Sequence, residues 1–249
     1  MNSVAAVIGQ FSGPIVDFGW IADNWQAIVD RTIQHLVLTG LAVGIGFAIS
    51  LPLALVAARF RFANAPITWT TATLFTIPSL ALFAIFVPIT GLSLVTAEIG
   101  LVAYTLLILV ENIVAGIRGA PPAVLEAATG LGYQKRRQVL AVQLPLALPA
   151  IVAGLRIATV TTVGLVTVTA VIGYGGLGYF ILQGLQVLQY NQIVVGSVLS
   201  IALAIVLDAL LLGVERMLAP WNHPGGRRNR RRNRSRTPVA HTTVDGEER

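Results

Sequence analysis

Cysteine is absent from this sequence of 249 residues, and charged side chains are scarce, at 11% of the total. The lack of cysteine excludes disulfides, thiolate nucleophiles and cysteine-bound metals. Three scattered histidines and no GxSxG serine elbow leave little chemistry for an intramembrane enzyme. A soluble domain has roughly 25% charged residues. This composition therefore argues against a water-soluble globule and indicates that lipid is the main solvent.

The sequence contains long uncharged runs, and 55% of its residues are hydrophobic. Residues 36–58 are 23 positions without a charge, and a helix of that length crosses a hydrocarbon layer of ~30 Å. Similar runs predict an all-α polytopic membrane protein whose five spans cover residues 36–58, 66–90, 98–117, 149–172 and 193–214. Pro78 and Pro88 should kink the second span.

Positive charge is distributed unevenly about these spans. An outer amino terminus puts 15 of the 17 Lys and Arg residues on the cytoplasmic side or in the cytoplasmic tail, where cations flanking a span are retained. We therefore expect an extracytoplasmic segment with an interfacial helix over 1–34, a membrane domain over 35–218, and a cytoplasmic carboxyl terminus. Residues 219–249 should be a disordered Arg-rich tail, with membrane lipids and no nucleic acid as its partner, because no aromatic residues interleave its Arg run.

A long cytoplasmic loop, residues 118–148, joins the third and fourth spans. Helix bundles need only short connections, so the extra length requires a reason. Pro121-Pro122 and the residues after them predict a helix that Gly130 or Gly132 ends. A second short helix is expected over 133–142, ended by Leu144-Pro145. A helix, a glycine bend and a helix form a shape that fits a groove on a partner.

This loop also carries a motif. Glu126-Ala127-Ala128, then Gly132, then Val142-Gln143-Leu144-Pro145 resemble the EAA loop of bacterial ABC importer permeases, although Ile is usual at the position of Val142. The resemblance implies the five-helix core of a type I importer permease in the bacterial cytoplasmic (inner) membrane. It also implies that the loop seats in a separate ATP-binding subunit and transmits its closure. The residues carried over for this coupling are Glu126, Ala127, Ala128, Gly132, Val142, Leu144 and Pro145. Three cations, Lys135, Arg136 and Arg137, are candidate contacts with acids or phosphates on that subunit, and a solvated basic face is an equally good interpretation of them.

The sequence has no phosphate-binding P-loop, because its only lysine, Lys135, follows Gln134 and not glycine. We therefore expect no catalysis and no cofactor in this chain, with ATP and Mg bound by the partner subunit. The resemblance further implies an extracytoplasmic substrate-binding protein and a second permease copy or paralogue.

Two other segments narrow the resemblance. Residues 76–82 and 172–181 resemble the permeases of importers that carry glycine betaine, carnitine, choline or proline, although those relatives usually have a basic residue at the position of Glu111. The glycine-rich stretch is predicted to form an outer gate, with Gly173, Gly175, Gly176 and Gly178 as its residues. Candidates for lining the substrate path are Ser79, Tyr104 and Asn112, although helix packing or a hydrogen bond between helices is the favoured role for each of them.

Three charged residues, Glu111, Arg156 and Asp208, fall well inside the predicted spans. Glu111 and Arg156 should both lie about 10 Å inside the cytoplasmic boundary, and we expect them to pair because an unpaired charge is costly there. Asp208 competes for the same arginine. One alternative remains open, an ion-coupled secondary transporter or channel without an ATPase subunit, in which Glu111 and Asp208 would be the proton or cation sites.

Overall fold

The computed structural model describes residues 16–220, and the regular structure in that part of the chain is helical. Residues 1–15 and nearly all of the predicted Arg-rich tail lie outside the described residues. The helices are α1 (Phe18–Asp23), α2 (Trp25–Arg59), α3 (Arg61–Thr76), α4 (Ser79–Thr90), α5 (Leu94–Arg118), α6 (Pro122–Gly130), α7 (Lys135–Gln138), α8 (Leu144–Val168), α9 (Gly178–Val187) and α10 (Tyr190–Leu218). A π-helical turn, Val139–Gln143, joins α7 to α8, and a 3-10 turn, Thr169–Ile172, follows α8.

Within residues 16–220, four helices are long and apolar enough to cross a membrane. They are α2, α5, the continuous helix Lys135–Ile172 and α10. A fifth span exists when α3 and α4 are counted together, although a bend of 92° separates them. The prediction of an all-α protein with a five-span core is confirmed on that count.

The second span is not the single kinked helix that the sequence predicted over 66–90. Ile77 leaves the helix with extended backbone angles, φ −65° and ψ 126°, because the residue before a proline is pushed out of the helical region. The hydroxyl of Tyr104 on α5 donates a hydrogen bond to the carbonyl of Ile77 at this break. Pro88, by contrast, lies inside α4 without ending it.

The first span begins earlier than the sequence predicted. α2 has 35 residues, about 52 Å at 1.5 Å per residue, and the boundary expected after residue 34 falls inside it. No glycine or proline occurs between Trp25 and Thr39 to end the helix. In the described part of the segment before α2, α1 is a separate short helix, and the carboxylate of Asp17 caps it by accepting from the N–H of Gly19 at 2.9 Å.

The fourth span is also longer than predicted, because Leu144-Pro145 does not end the preceding helix. The chain remains helical from Lys135 to Ile172. Proline lacks an N–H, and its ring crowds the carbonyl four residues earlier, here that of Ala141. Ala141 lies in the wider π-helical turn, which reduces this clash and lets the helix continue.

The core is centred on α5, which packs between α2 and α8. Its largest cluster of buried residues is formed by Ala54, Ala57, Leu109, Val110, Ile113, Val114, Ile117, Ala147, Ile151 and Ala158. Small residues allow the helices to approach closely. A Cβ on Gly154 of α8 would lie only 2.6 Å from the Cβ of Asn112 on α5. This contact fixes which face of α5 meets α8.

Candidate functional site

The loop between α5 and α8 is a helical hairpin with a defined glycine bend. At the end of α6, Tyr133 N–H donates to the carbonyl of Ala128 at 3.0 Å, and Gly132 N–H donates to that of Thr129 at 2.9 Å. These two bonds form a Schellman motif, which requires a left-handed residue at the position of Gly132. Its φ is indeed +78°. Gly132, and not Gly130, therefore provides the bend.

A side chain holds the two arms of the hairpin together. The amide of Gln138 on α7 donates to the carbonyl of Leu125 on α6 at 2.7 Å, and it lies 3.5 Å from the hydroxyl of Thr129. Leu131, at the tip of the bend, is 77% exposed. The hairpin thus has hydrogen-bonded arms and a tip whose apolar side chain is largely uncovered by the described residues.

The residues predicted to couple this loop to a partner lie on both sides of it. Glu126 and Ala127 are exposed, whereas Ala128 is buried, at 5% exposure. Val142 and Leu144 are half-buried at the junction with α8, and Pro145 is exposed in the first turn of α8. Three exposed cations, Lys135, Arg136 and Arg137, follow the bend, and the guanidinium of Arg137 lies 4.5 Å from the ring centroid of Tyr133.

The base of the loop is fixed to the membrane helices. The guanidinium of Arg118, the last residue of α5, donates from Nη2 to the carbonyl of Ala57 near the end of α2 at 3.0 Å. Carbonyls in the last turn of a helix have no partner within the helix. Arg118 provides a hydrogen-bond donor for the carbonyl of Ala57 and so links the ends of α2 and α5.

The predicted pair between Glu111 and Arg156 is wrong. Arg156 on α8 pairs instead with Asp208 on α10, with Nε 2.8 Å from Oδ1 and Nη2 2.9 Å from Oδ2. Its Nη1 also lies 3.3 Å from Oε2 of Glu215. Asp208 and Glu215 are two helical turns apart and therefore share one face of α10. The arginine joins α8 to α10 within the membrane domain.

Helix geometry explains why Glu111 is not the partner. Asn112 faces Gly154 across the contact between α5 and α8. Successive residues are about 100° apart around a helix, so Glu111 points away from that contact and is exposed. The prediction compared only how deep Glu111 and Arg156 lie in the membrane and did not consider which way Glu111 faces around α5.

The candidate path residues contribute to helix structure in the described part of the chain. Tyr104 bonds to the carbonyl of Ile77 at the break in the second span, and its ring packs against Phe75 with centroids 5.4 Å apart. The amide of Asn112 donates to the carbonyl of Ile108 in its own helix at 2.8 Å. Ser79 is half-buried at the start of α4.

The glycine-rich segment packs closely against the end of α8 and the 3-10 turn that follows it. A Cβ on Gly175 would lie 2.2 Å from Cβ of Ala170, and one on Gly178 would lie 2.3 Å from the carbonyl oxygen of Thr167. Both glycines are buried. Gly173 is different, since it is exposed, with φ +88° and open space around it. The segment is therefore packed in place after its first residue.

His35 of α2 connects this segment to α8. It is fully buried, and Leu177 N–H donates to its Nδ1 at 3.3 Å. Nδ1 is thus the acceptor, so the proton is on Nε2, which lies 3.1 Å from the carbonyl of Val163. A Cβ on Gly176 would lie 2.6 Å from the Cβ of His35. One side chain holds α2, α8 and the glycine segment together.

Comparison with known proteins identifies the family. Residues 50–222 match the model of the binding-protein-dependent transport system inner membrane component, and this match includes the hairpin loop and three of the four continuous spans. The chain belongs to this permease family. It is therefore a multi-pass inner membrane transport component, as the sequence motif predicted.

Two curated relatives cover nearly the same region of the permease. It is 36% identical over 206 residues to the choline transport system permease protein OpuBB of Bacillus subtilis, covering 83% of this chain and 94% of the relative. It is 34% identical over 206 residues to the osmoprotectant import permease protein OsmW of Salmonella typhimurium, covering 81% and 96%.

The fold of the permease matches a solved transporter. An inward-facing structure of the MetNI methionine ABC transporter aligns with a TM-score of 0.67 at 22% identity, over 77% of this chain and 96% of that one. This likeness shows the fold, and it confirms the predicted type I importer core.

Several polar residues that organise the permease were not predicted from the sequence. Gln138 and Arg118 carry no motif, and their roles depend on carbonyls that only the fold brings near. His35 had a signal, because it directly precedes the predicted first span and a titratable side chain in or beside an apolar span is rare. Glu98 had the same signal: both its carboxylate oxygens are buried without a hydrogen-bond partner in the described part of the chain.

Proposed function

We propose that the permease is the transmembrane subunit of an ATP-driven importer for osmoprotectants, with glycine betaine, choline, carnitine or proline as its substrate. The observation that carries this proposal is the hairpin loop, whose arms are hydrogen-bonded to each other, which ends in an exposed apolar tip and which continues directly into a membrane span. The named substrates of the curated relatives support the substrate class.

The hairpin suits the transmission of movement from a partner. A separate ATP-binding subunit receives the tip at Leu131 and the exposed face of Glu126 and Ala127. Gln138 joins the arms of the hairpin, so the two arms move as one unit. The helix from Lys135 to Ile172 is continuous, and a displacement at its cytoplasmic end therefore reaches the glycine segment at the other. Closure and opening of the partner would alternate access between the two sides.

The proposed assembly assigns each remaining step to a partner. ATP and Mg bind to the ATP-binding subunit, which carries out the hydrolysis. A substrate-binding protein docks on the outer side, and a second permease copy or paralogue completes the path. Arg136 and Arg137 contact acids or phosphates on the ATP-binding subunit, and membrane lipids surround the exposed apolar faces.

The orientation follows from the positive-inside rule. The amino terminus is outside and the hairpin is cytoplasmic, so the ends of α2 and α5 with Arg59 and Arg118 face the cytoplasm. The glycine segment then lies on the outer side, where Gly173, Gly175, Gly176 and Gly178 belong to the gate region. Gly173 is the position with space to move.

Substrate selection is assigned to the binding protein. A quaternary ammonium group donates no ordinary hydrogen bond and is recognised by aromatic faces. On the outer side of the permease, the guanidinium of Arg31 already covers the ring of Tyr179, 3.9 Å from its centroid. A weakly binding path past Ser79, Tyr104 and Asn112 is sufficient for the permease itself.

Uptake measurements test the proposal. Cells that lack their own osmoprotectant uptake would express the permease with its ATPase and binding protein, and uptake of labelled betaine, choline, carnitine and proline would be compared. ATP-dependent uptake of at least one compound is expected. Substrate transport driven by an ion gradient through the permease alone in liposomes would contradict the proposal. It would support ion coupling at Glu111 or Asp208, although Asp208 is already paired with Arg156.

A second test addresses the hairpin tip. Leu131→Ser should reduce association with the ATPase subunit, measured by co-purification, because it removes the exposed apolar contact. Leu185→Ser is the matched control, since Leu185 is a similarly exposed leucine, at 57%, near the opposite end of the membrane domain. Equal association of both variants with the ATPase subunit would reject the role of the tip.

A further inference from the structure

A cavity of about 200 Å³ lies between the hairpin loop and the membrane helices. The ends of α2 and α5 form one side of it, and α7 with the π-helical turn forms the other. The proposed contact with the ATPase subunit is at the hairpin tip and does not use this cavity. Its lining therefore requires a separate explanation.

Three cations from three different elements line the cavity. They are Arg59 at the end of α2, Arg118 at the end of α5 and Lys135 at the start of α7. No carboxylate lines the cavity, and none of the three cations is in a salt bridge within residues 16–220. Like charges that converge on one space repel each other, and an anion bound between them would relieve that repulsion.

One of the three cations and one amide in the lining are already held by hydrogen bonds. Arg118 uses Nη2 to bind the carbonyl of Ala57 at 3.0 Å, which leaves its other N–H groups for a ligand. Gln138, also in the lining, is fixed by its bond to Leu125. The site is thus partly organised before any ligand binds.

The position and the remaining lining favour a lipid over a free anion. Arg59 and Arg118 are the final residues of two spanning helices, which places the cavity at headgroup depth. Leu55, Ile117 and Val139 supply an apolar part of the lining. A phospholipid has both components, a phosphate for the cations and a glycerol with acyl chains for the apolar side chains.

We infer that this cavity binds the phosphate of an anionic phospholipid from the leaflet on the hairpin side. The bound phosphate joins Lys135 of the hairpin to Arg59 and Arg118 of the two spans. The lipid therefore stabilises the position of the hairpin relative to the membrane domain. Lys135 differs in this respect from its neighbours Arg136 and Arg137, which do not line the cavity.

Lipid binding by the full chain in nanodiscs tests the inference. Nanodiscs would contain phosphatidylcholine alone or with phosphatidylglycerol, and native mass spectrometry would count retained lipids while tryptophan fluorescence follows thermal unfolding. Phosphatidylglycerol should be retained and should raise the melting temperature. Lys135→Gln should weaken its retention about fivefold, the effect of one basic residue near the leaflet.

Arg136→Gln is the matched control, because it removes one positive charge from the same four-residue helix without touching the cavity. It should leave retention of phosphatidylglycerol unchanged. Equal losses for the two variants would overturn the inference, since they would indicate diffuse attraction between a basic surface and the bilayer. Inorganic phosphate that raises the melting temperature of the chain in phosphatidylcholine nanodiscs as much as phosphatidylglycerol does would also overturn it, by identifying a free anion as the ligand.

Discussion

Arg156 and Asp208 meet side-on across α8 and α10, with two parallel N–H···O bonds of 2.8 and 2.9 Å. Glu215 is a second, weaker partner at 3.3 Å. A bidentate arrangement of this kind is stronger and more directional than a single contact. It fixes the rotation of both helices and predicts a graded response to substitution.

Arg156→Met should lower the melting temperature most, because it leaves two carboxylates without their cation. Asp208→Asn should have a smaller effect, since Glu215 can still pair with the arginine, and Glu215→Gln should have the smallest. The double variant Arg156→Met with Asp208→Asn should lose less than the sum of the single variants, as expected for coupled residues. Thermal unfolding in detergent measures all four. Strict additivity would reject the pairing, and Glu111→Gln serves as the control without loss.

Gly132→Ala should impair transport while leaving the membrane domain intact. Its φ of +78° makes a Cβ unfavourable by about 1 kcal/mol, and the Schellman bend would open. Gly130→Ala is the control, because it is helical with open space around it and alanine favours the helix. Uptake should fall only for Gly132→Ala, at equal protein levels. Similar uptake by the two variants would show that the bend is dispensable.

His35 should be a single tautomer with its proton on Nε2. The ¹⁵N spectrum of histidine-labelled protein should show one protonated and one unprotonated ring nitrogen for this residue. His35→Phe keeps a ring but leaves the N–H of Leu177 unpaired, and it should cost about 1 to 3 kcal/mol of stability. Gln34→Ala, next to it in the same helix, should cost less. A proton found on Nδ1 would contradict the assigned hydrogen bond from Leu177.

Glu98→Gln should stabilise the protein by about 1 kcal/mol, because it removes a charge from two buried oxygens without a hydrogen-bond partner among residues 16–220. Glu111→Gln should change stability little, since Glu111 is exposed. Chemical or thermal unfolding of both variants measures the difference. A loss of stability in Glu98→Gln would mean that this carboxylate has a partner in the assembled transporter.

The sequence predicted what depends on local chemistry. The apolar runs indicated the spans, and the offsets between Glu126, Gly132 and Pro145 indicated the hairpin loop and its family. Gly132 was predicted as one of two candidates to end α6, since a left-handed residue is needed there. These features depend on residues that are close in the chain.

What the sequence could not predict depends on helix rotation and on contacts between distant segments. Glu111 and Arg156 have suitable depths, but the face of α5 that meets α8 is fixed by Asn112 against Gly154, and no periodicity in either helix alone reveals that contact. α7 continues into α8 through a π-helical turn. From the sequence alone, Pro145 predicts that the helix ends there. Gln138 and Arg118 donate to backbone carbonyls. Every residue has such a carbonyl, so the sequence does not show which one is the acceptor.

The hydrogen bond between Tyr104 and the carbonyl of Ile77 has a consequence for biogenesis. The segment formed by α3 and α4 leaves the ribosome before α5, which carries Tyr104. The carbonyl of Ile77 therefore enters the bilayer before its hydrogen-bond donor is present. Unpaired backbone groups are unfavourable in hydrocarbon. The turn between α3 and α4 should therefore settle at its final depth only after α5 has been inserted beside it, and Tyr104→Phe should delay that maturation more than it weakens the finished protein.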